Sequence, residues 1–228
     1  MQYSKVIAIL LAGGSGSRFG ADRPKQFLEV GGCTVLEHSI RAFHRSSLVA
    51  EIVVITRQDF VDEVKKIAST YPKVKHVRPG GEERYHSTLS ALEVCTEGED
   101  ILLIHDAVRP LVSEAIIQRC VDMLCEYDAV GVAVPSTDTS VRVDENECIV
   151  ETLPRVVLRN MQTPQGFRQR VLRQAFDLGL QDPTFAPTDD CGVVRSYLPN
   201  VPIRIVEGEV TNIKITYPKD LEMLRSGV

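Results

Sequence analysis

The feature that most constrains this chain is an alternation: short β-rich apolar runs are separated by longer amphipathic stretches along most of its length. Val6-Ile7-Ala8-Ile9-Leu10-Leu11 is continuously apolar, as a strand covered on both faces requires. A helix is predicted over 35–43, where Val35, Leu36, Ser39, Ile40 and Phe43 recur at helical spacing. Further strands are predicted at 51–56, 74–77, 100–106 and 129–134. Helices are predicted at about 59–71, 87–95 and 113–127, the last capped by Ser113. Such repetition specifies an α/β fold, a Rossmann-like, mostly parallel twisted sheet flanked by helices. Right-handed crossovers then gather the loops after each strand along one edge, where open sheets of this kind bind ligands.

The regularity breaks between about 135 and 162. Thr139-Ser140-Val141-Arg142-Val143 and Ile149-Val150-Glu151-Thr152-Leu153 alternate polar and β-branched residues around Asp144-Glu145-Asn146-Glu147. This pattern predicts a protruding two-stranded β-arm over about 136–162. A hairpin alone is marginal in water, so the arm is expected to pack on something, and a second subunit would serve. Helical pattern returns at 168–178, and 203–207 and 213–216 are predicted to close the sheet. With no internal repeat or low-complexity segment, the chain reads as a single domain over 1–228.

Charge narrows the partners. Lys and Arg total 26 against 31 Asp and Glu, a net charge of −5. That excludes a broadly basic surface for nucleic acid or anionic membrane, but not a local basic pocket for a small anion. The run at 6–12 is too short to span a bilayer, and it leads into glycines rather than a secretory cleavage site. The six cysteines (Cys33, Cys95, Cys120, Cys125, Cys148, Cys191) are dispersed and contain no C-x-x-C. They read as reduced thiols of a cytoplasmic protein, not as a disulfide framework or a zinc site.

Chemistry concentrates after the first strand, in Leu11-Ala12-Gly13-Gly14-Ser15-Gly16-Ser17-Arg18-Phe19-Gly20. Glycines in a strand-to-helix loop let backbone N–H groups converge on an anion. No G-x-x-x-x-G-K-[ST] is present, and the G-x-G-x-x-G spacing fails because Gly20 falls one position late. A nicotinamide-dependent reductase is thereby weakened. Arg18 and Lys25 supply two cations just beyond the glycines, with Pro24 fixing the approach to Lys25. That pairing suits a triphosphate whose charge builds up during phosphoryl or nucleotidyl transfer; the bland alternative is a surface turn with solvated charges.

Other segments are weaker one by one. Gly80-Gly81-Glu82-Glu83-Arg84-Tyr85-His86-Ser87 could hold a base or phosphate, or form an ordinary loop and helix cap. The strand ending His105-Asp106 puts a carboxylate where Mg2+ or a hydroxyl could be held, with Arg109 for a phosphate or for a structural pair with the Asp. His105 reads as a packed core histidine. Thr137-Asp138-Thr139, Arg155, Gln162-Thr163-Pro164-Gln165, Thr188-Asp189-Asp190 and Asn212-Ile213-Lys214-Ile215-Thr216 complete the set.

In this order, from residue 11 to residue 216, these motifs resemble the 2-C-methyl-D-erythritol 4-phosphate cytidylyltransferases of the non-mevalonate isoprenoid pathway. The ribitol-5-phosphate cytidylyltransferases share almost the same set. The resemblance implies a CTP-dependent nucleotidyltransferase that uses Mg2+ or another divalent cation. By that similarity, Leu11, Ala12, Gly13, Gly14, Gly81, Glu82 and Ser87 would hold the nucleotide. Arg18 and Lys25 would stabilise the transition state. Asp106 would hold metal and, with Arg109, the sugar phosphate, while Thr139, Arg155 and Lys214 would orient the attacking phosphate. It also implies a homodimer whose arms reach the partner's site.

Three positions depart from many methylerythritol enzymes: Thr137 replaces a basic residue, Arg159 a Trp and Val108 an Ala. Val108 is common among the ribitol enzymes. Glu151-Thr152-Leu153 and the T-D-D cluster favour methylerythritol phosphate. A non-catalytic nucleotide-binding module is the remaining alternative. Arg18, Lys25, Arg84, Arg109, Arg155 and Lys214 are scattered in sequence, yet most are expected along one edge of the sheet.

Overall fold

The computed structural model describes residues 4–14, 23–95 and 98–227. In chain order its elements are β1 (Val6–Ala12), a 3-10 turn at Lys25–Phe27, β2 (Glu29–Val30), β3 (Cys33–Thr34), α1 (Val35–Arg45), β4 (Glu51–Thr56) and a second 3-10 turn at Gln58–Phe60. There follow α2 (Val61–Ala68), β5 (Val74–Pro79), α3 (Arg84–Leu92), β6 (Ile101–Asp106), α4 (Glu114–Met123) and β7 (Ala129–Pro135). Then come β8 (Val141–Val143), β9 (Ile149–Thr152), a 3-10 turn at Arg155–Val157, β10 (Arg159–Arg168), α5 (Gln169–Gly179), α6 (Asp190–Tyr197), β11 (Ile203–Glu207) and α7 (Pro218–Gly227).

The main sheet has seven strands in the order β11-β7-β10-β6-β1-β4-β5. Six run parallel; β10 alone is antiparallel, inserted between β6 and β7. β1 shows why its run had to be continuously apolar. Ala8, Leu10 and Ala12 face one core with Leu36, Ile40 and Phe43 of α1 and Ile116 and Ile117 of α4. Ile7, Ile9 and Leu11 face the other, with Leu172 and Phe176 of α5 and Val194 of α6. The period of two along the strand therefore divides its side chains between two dry layers.

Four sequence expectations are corrected. Residues 213–216 form no strand; they lack regular secondary structure, with Ile215 N donating to Val108 O at 2.9 Å and Ile215 clustered with Val35 and Leu224. The expected helix at 87–95 begins at Arg84, so Ser87 lies inside it, not at its start. Glu83 precedes that helix, and its N–H donates to His86 Nδ1 at 3.1 Å. The expected helix at 59–71 opens as a 3-10 turn and becomes α-helical only over Val61–Ala68. The long strand β10 was not anticipated at all, because its buried positions include Gln162, Thr163, Pro164 and Gln165 rather than an apolar run.

The arm is present as β8 paired antiparallel with β9. Asp144 Oδ1 accepts from the N–H groups of Asn146 and Cys148, and Glu147 takes the left-handed conformation with φ 59°. Val141, Val143, Ile149 and Val150 are all exposed. Among the described residues no helix is long and apolar enough to cross a membrane.

Candidate active site

The carboxyl ends of β1, β4 and β6 meet at one edge, where a cavity of about 600 Å3 opens. One wall is the glycine loop, Leu11 to Gly14; another is the turn before α3, with Gly81 and Glu82, continued by Ser87 in the first turn of the helix; Asp106, Val108 and Lys214 form the floor. The two loops approach closely. A Cβ on Gly13 would stand 3.2 Å from Ser87 Oγ, and one on Gly80 would strike that oxygen and lie 3.1 Å from Ile55 Cγ2. Glycine is required at Gly80 for space, since its backbone is not in the left-handed region.

Lys25 reaches this cavity from the turn after the glycine loop and is itself buried. That turn has three inward contacts. Lys25 lines the cavity, and Gln26 Nε2 donates to Ala12 O at 2.7 Å and Gly14 O at 2.9 Å. Phe27 stacks on Phe60 with ring centroids 4.4 Å apart.

The floor is a chain of alternating charge. Lys214 Nζ donates to Asp106 Oδ2 at 2.8 Å, and Arg84 Nε lies 3.5 Å from Asp106 Oδ1. Arg84 Nη1 in turn donates to Asp190 Oδ2 at 2.6 Å. Asp190 is fixed from two more sides: Thr88 Oγ1 donates to its Oδ1 at 2.8 Å, and its own N–H donates to Gln165 Oε1 at 3.1 Å. Burial alone would push the Asp106 carboxyl up, but Arg84, Lys214 and the hydrogen bond from Lys214 outweigh it and hold it well below the usual carboxylate range. Burial likewise opposes the charge of Arg84, and Asp190 and Asp106 more than reverse that, raising its guanidinium above the ordinary arginine value. Asp106 and Arg84 are therefore both ionised at any working pH.

His105 is fully buried, as the sequence indicated, and burial pushes its imidazole down to about 4. Its Nε2 faces the Arg109 carbonyl at 3.0 Å, which only accepts, so Nε2 carries the proton. Nδ1 then accepts from Thr163 Oγ1 at 3.0 Å, while Thr163 Oγ1 accepts from Asp106 N at 3.1 Å. The histidine thus anchors the Asp106 backbone and does not reach the cavity.

Ten expected residues converge on the cavity: Leu11, Ala12, Gly13, Gly14, Lys25, Gly81, Glu82, Ser87, Asp106 and Lys214. Arg18 lies outside the described residues. Arg109 does not line the cavity: its Nη1 donates to Asn212 O at 2.7 Å and its Nη2 to Met161 O at 3.4 Å. Thr139 and Arg155 stand on the exposed arm and do not line this chain's own cavity; Arg155 Nη1 donates to Thr137 O at 3.0 Å. Sequence reading gave no role to Gln26 and Arg57, which line the cavity, or to Asp190 beneath Arg84. The signal for the last was the coincidence of G-G-x-x-R with T-D-D, two motifs 106 positions apart that meet as one ion pair.

For a divalent cation the donor set is spare. No group of three or more potential ligands occurs among the described residues, and Asp106 is the buried carboxylate on the cavity floor. This fits Mg2+, which keeps waters and takes one or two carboxylates together with substrate phosphates.

One family's model, described as 2-C-methyl-D-erythritol 4-phosphate cytidylyltransferase (IspD), matches residues 6–226. A protein of that name from Thermobifida fusca is 47% identical over 98% of this chain and 95% of its own length. A bifunctional ribulose 5-phosphate reductase/CDP-ribitol pyrophosphorylase of Haemophilus influenzae is 39% identical over 97% of this chain, which spans 48% of that protein. Among solved structures, a 4-diphosphocytidyl-2C-methyl-D-erythritol synthase from Anaerococcus prevotii superposes with a TM-score of 0.87 at 28% identity. It covers 98% of this chain and 96% of its own.

Proposed function

The chain belongs to the 2-C-methyl-D-erythritol 4-phosphate cytidylyltransferase family, and from that membership we propose how its cavity acts on CTP and on its acceptor. The enzyme is a nucleotidyltransferase of isoprenoid precursor biosynthesis. It joins CTP and 2-C-methyl-D-erythritol 4-phosphate to give 4-diphosphocytidyl-2-C-methyl-D-erythritol and pyrophosphate. Membership replaces the nicotinamide-reductase and non-catalytic readings.

In the proposed step, an oxygen of the acceptor's phosphate bonds to the α-phosphorus of CTP while the bond from that phosphorus to the bridging oxygen breaks. The electron pair leaves with pyrophosphate. A phosphate monoester is largely ionised at neutral pH, its second pKa being about 6, so no base has to remove a proton. A fully buried His105 with both ring nitrogens engaged is consistent with that. Catalysis is then positioning and charge neutralisation.

Leu11 to Gly14, Gly81, Glu82 and Ser87 would hold cytidine and phosphates. Lys25, with Arg18, would take up the charge that develops at the α-phosphate. Lys214 and Asp106 would orient the acceptor, and Asp106 with the CTP phosphates would hold Mg2+, which supplies further charge neutralisation when bound. Thr139 and Arg155 would complete a site only in a homodimer whose arms are exchanged. The apolar side chains Val156 and Val157, 79% and 71% exposed beside Arg155, support such an interface. Buried free thiols at Cys33, Cys95, Cys120 and Cys191 fit a cytoplasmic enzyme.

The observation that carries this reading is the alternating chain Asp190–Arg84–Asp106–Lys214, set under a glycine loop that also receives Lys25. Pyrophosphate release from CTP and Mg2+, measured in parallel with methylerythritol phosphate and ribitol 5-phosphate, tests it. Preference for methylerythritol phosphate is expected. The Haemophilus influenzae relative keeps ribitol 5-phosphate as the second reading, and release with neither acceptor would overturn both.

A further inference from the structure

We propose that Gln26 is a positioning residue for the triphosphate of CTP: its side-chain amide clamps the glycine loop to the turn that carries Lys25. The inference rests on the cavity being the CTP site. Its ground is a single nitrogen with two partners. Gln26 Nε2 donates to Ala12 O at 2.7 Å and to Gly14 O at 2.9 Å, so it grips the carbonyls of the residues on either side of Gly13. The residue is 1% exposed, so these bonds satisfy an amide nitrogen that would otherwise be buried without a partner.

The geometry has a direct consequence for the loop. In a planar trans peptide the C=O and the following N–H point in opposite directions. Holding the Ala12 carbonyl therefore fixes the direction of the Gly13 N–H, and holding the Gly14 carbonyl fixes the plane of the peptide bond that follows Gly14. Gly13 and Gly14 have no side chains with which to hold these planes themselves. An anion site made of backbone N–H groups loses affinity when those groups are free to rotate, because binding must then order them.

The clamp also ties the two halves of the phosphate site to each other. Gln26 lies between Lys25 and Phe27 in a turn closed by Phe27 N to Pro24 O at 2.9 Å and Leu28 N to Lys25 O at 3.2 Å. Phe27 holds that turn by stacking on Phe60 with an interplanar angle of 15°. The Phe27–Phe60 stack sets where the turn sits, and Gln26 carries that position across to the glycines. Lys25 and the backbone donors are thus kept at one spacing before a ligand arrives.

The test uses the full-length enzyme. Q26M keeps the length of the side chain and removes the donor. Steady-state pyrophosphate release should show kcat/KM for CTP down about tenfold or more, as loss of two buried hydrogen bonds implies. The KM for methylerythritol phosphate should stay near wild type, a split that general loosening of the fold would not produce. Q26N, whose shorter amide can reach only one carbonyl, should fall between the two, and it keeps the series readable if Q26M does not fold. Wild-type turnover with an unchanged CTP response in Q26M or Q26N overturns the clamp alone. Absence of turnover in the wild type overturns the functional reading and the clamp with it.

Discussion

Replacing Asp190 with Ala tests the charge chain beneath the cavity. Asp190 is 1% exposed, and its carboxylate accepts from Arg84 Nη1 at 2.6 Å and Thr88 Oγ1 at 2.8 Å. At an effective dielectric of about 20, unit charges at the 2.6 Å separation seen here attract by roughly 6 kcal/mol. Desolvating the two ions costs several kcal/mol each, so the intact pair adds little net stability. Removing one partner is different, because the side chain of Arg84, 25% exposed, keeps its desolvation cost without its counter-charge. Such losses run to about 3–5 kcal/mol. Asp106, 3.5 Å from Arg84 Nε, offsets part of this by drawing the guanidinium toward itself. A loss of about 3 kcal/mol is expected, a large share of the roughly 5–15 kcal/mol that stabilises a domain.

The same shift gives Asp106 a second close cation and loosens its bond to Lys214. The kcat/KM for the acceptor should then fall by about tenfold or more, the worth of one charge-assisted hydrogen bond. Urea unfolding reads the first effect and pyrophosphate release the second. The double variant R84M/D190A should regain much of the stability, since no ion is left unpaired, and none of the activity. A D190A protein with wild-type unfolding midpoint and wild-type acceptor kinetics would refute the reasoning.

Other outcomes follow from the same geometry. Lys25→Ala should lower kcat by about two to three orders of magnitude, the range for loss of one preorganised transition-state donor, with single-turnover kinetics as the check. If arms are exchanged, mixing Lys25→Ala and Arg155→Ala enzymes should restore about a quarter of wild-type activity, because half the dimers then hold one intact site of two; no recovery would place Arg155 in its own chain's site. Gly80→Ala should push Ser87 and Ile55 aside, costing about 1–3 kcal/mol in thermal unfolding and raising the KM for CTP.

His105 predicts a pH dependence of stability. Its folded value of about 4 lies below the ordinary 6.5, so between these limits the unfolded chain binds the extra proton. Stability is then complete above pH 6.5 and declines as pH falls toward 4, by about 3 kcal/mol in total. Unfolding of wild type and His105→Gln at pH 7 and pH 4.5 should show that decline in the wild type alone.

How much was legible in the sequence differs by the kind of residue that builds each part. β1, α1, β4 and β6 were readable because each buries an apolar face whose period shows directly. The arm was readable because its alternation is local. β10 was hidden by its chemistry: Gln162, Thr163 and Gln165 are buried through hydrogen bonds to Glu209 O, Asp106 N and Asp189, and such partners leave no periodic trace. Residues 213–216 misled for the opposite reason. Ile213 and Ile215 alternate like a strand, yet Ile215 answers to a small separate cluster with Val35 and Leu224. In the site, loop glycines and Lys25 announced themselves, whereas Asp190 acts only through Arg84 and needed the fold to bring them together.

The reversed direction of β10 has a consequence for how this architecture can change. Because that strand runs against its neighbours, it begins at the edge where β7 ends, and Arg159 pairs with Pro135 across the gap. Ser136 N donates to Leu158 O at 3.2 Å just above that pair. The arm is therefore a detachable cassette, clipped shut at its base like the handle of a basket. Its length, its tip and the residues it presents can be rewritten without altering one hydrogen bond of the sheet that supports the cavity.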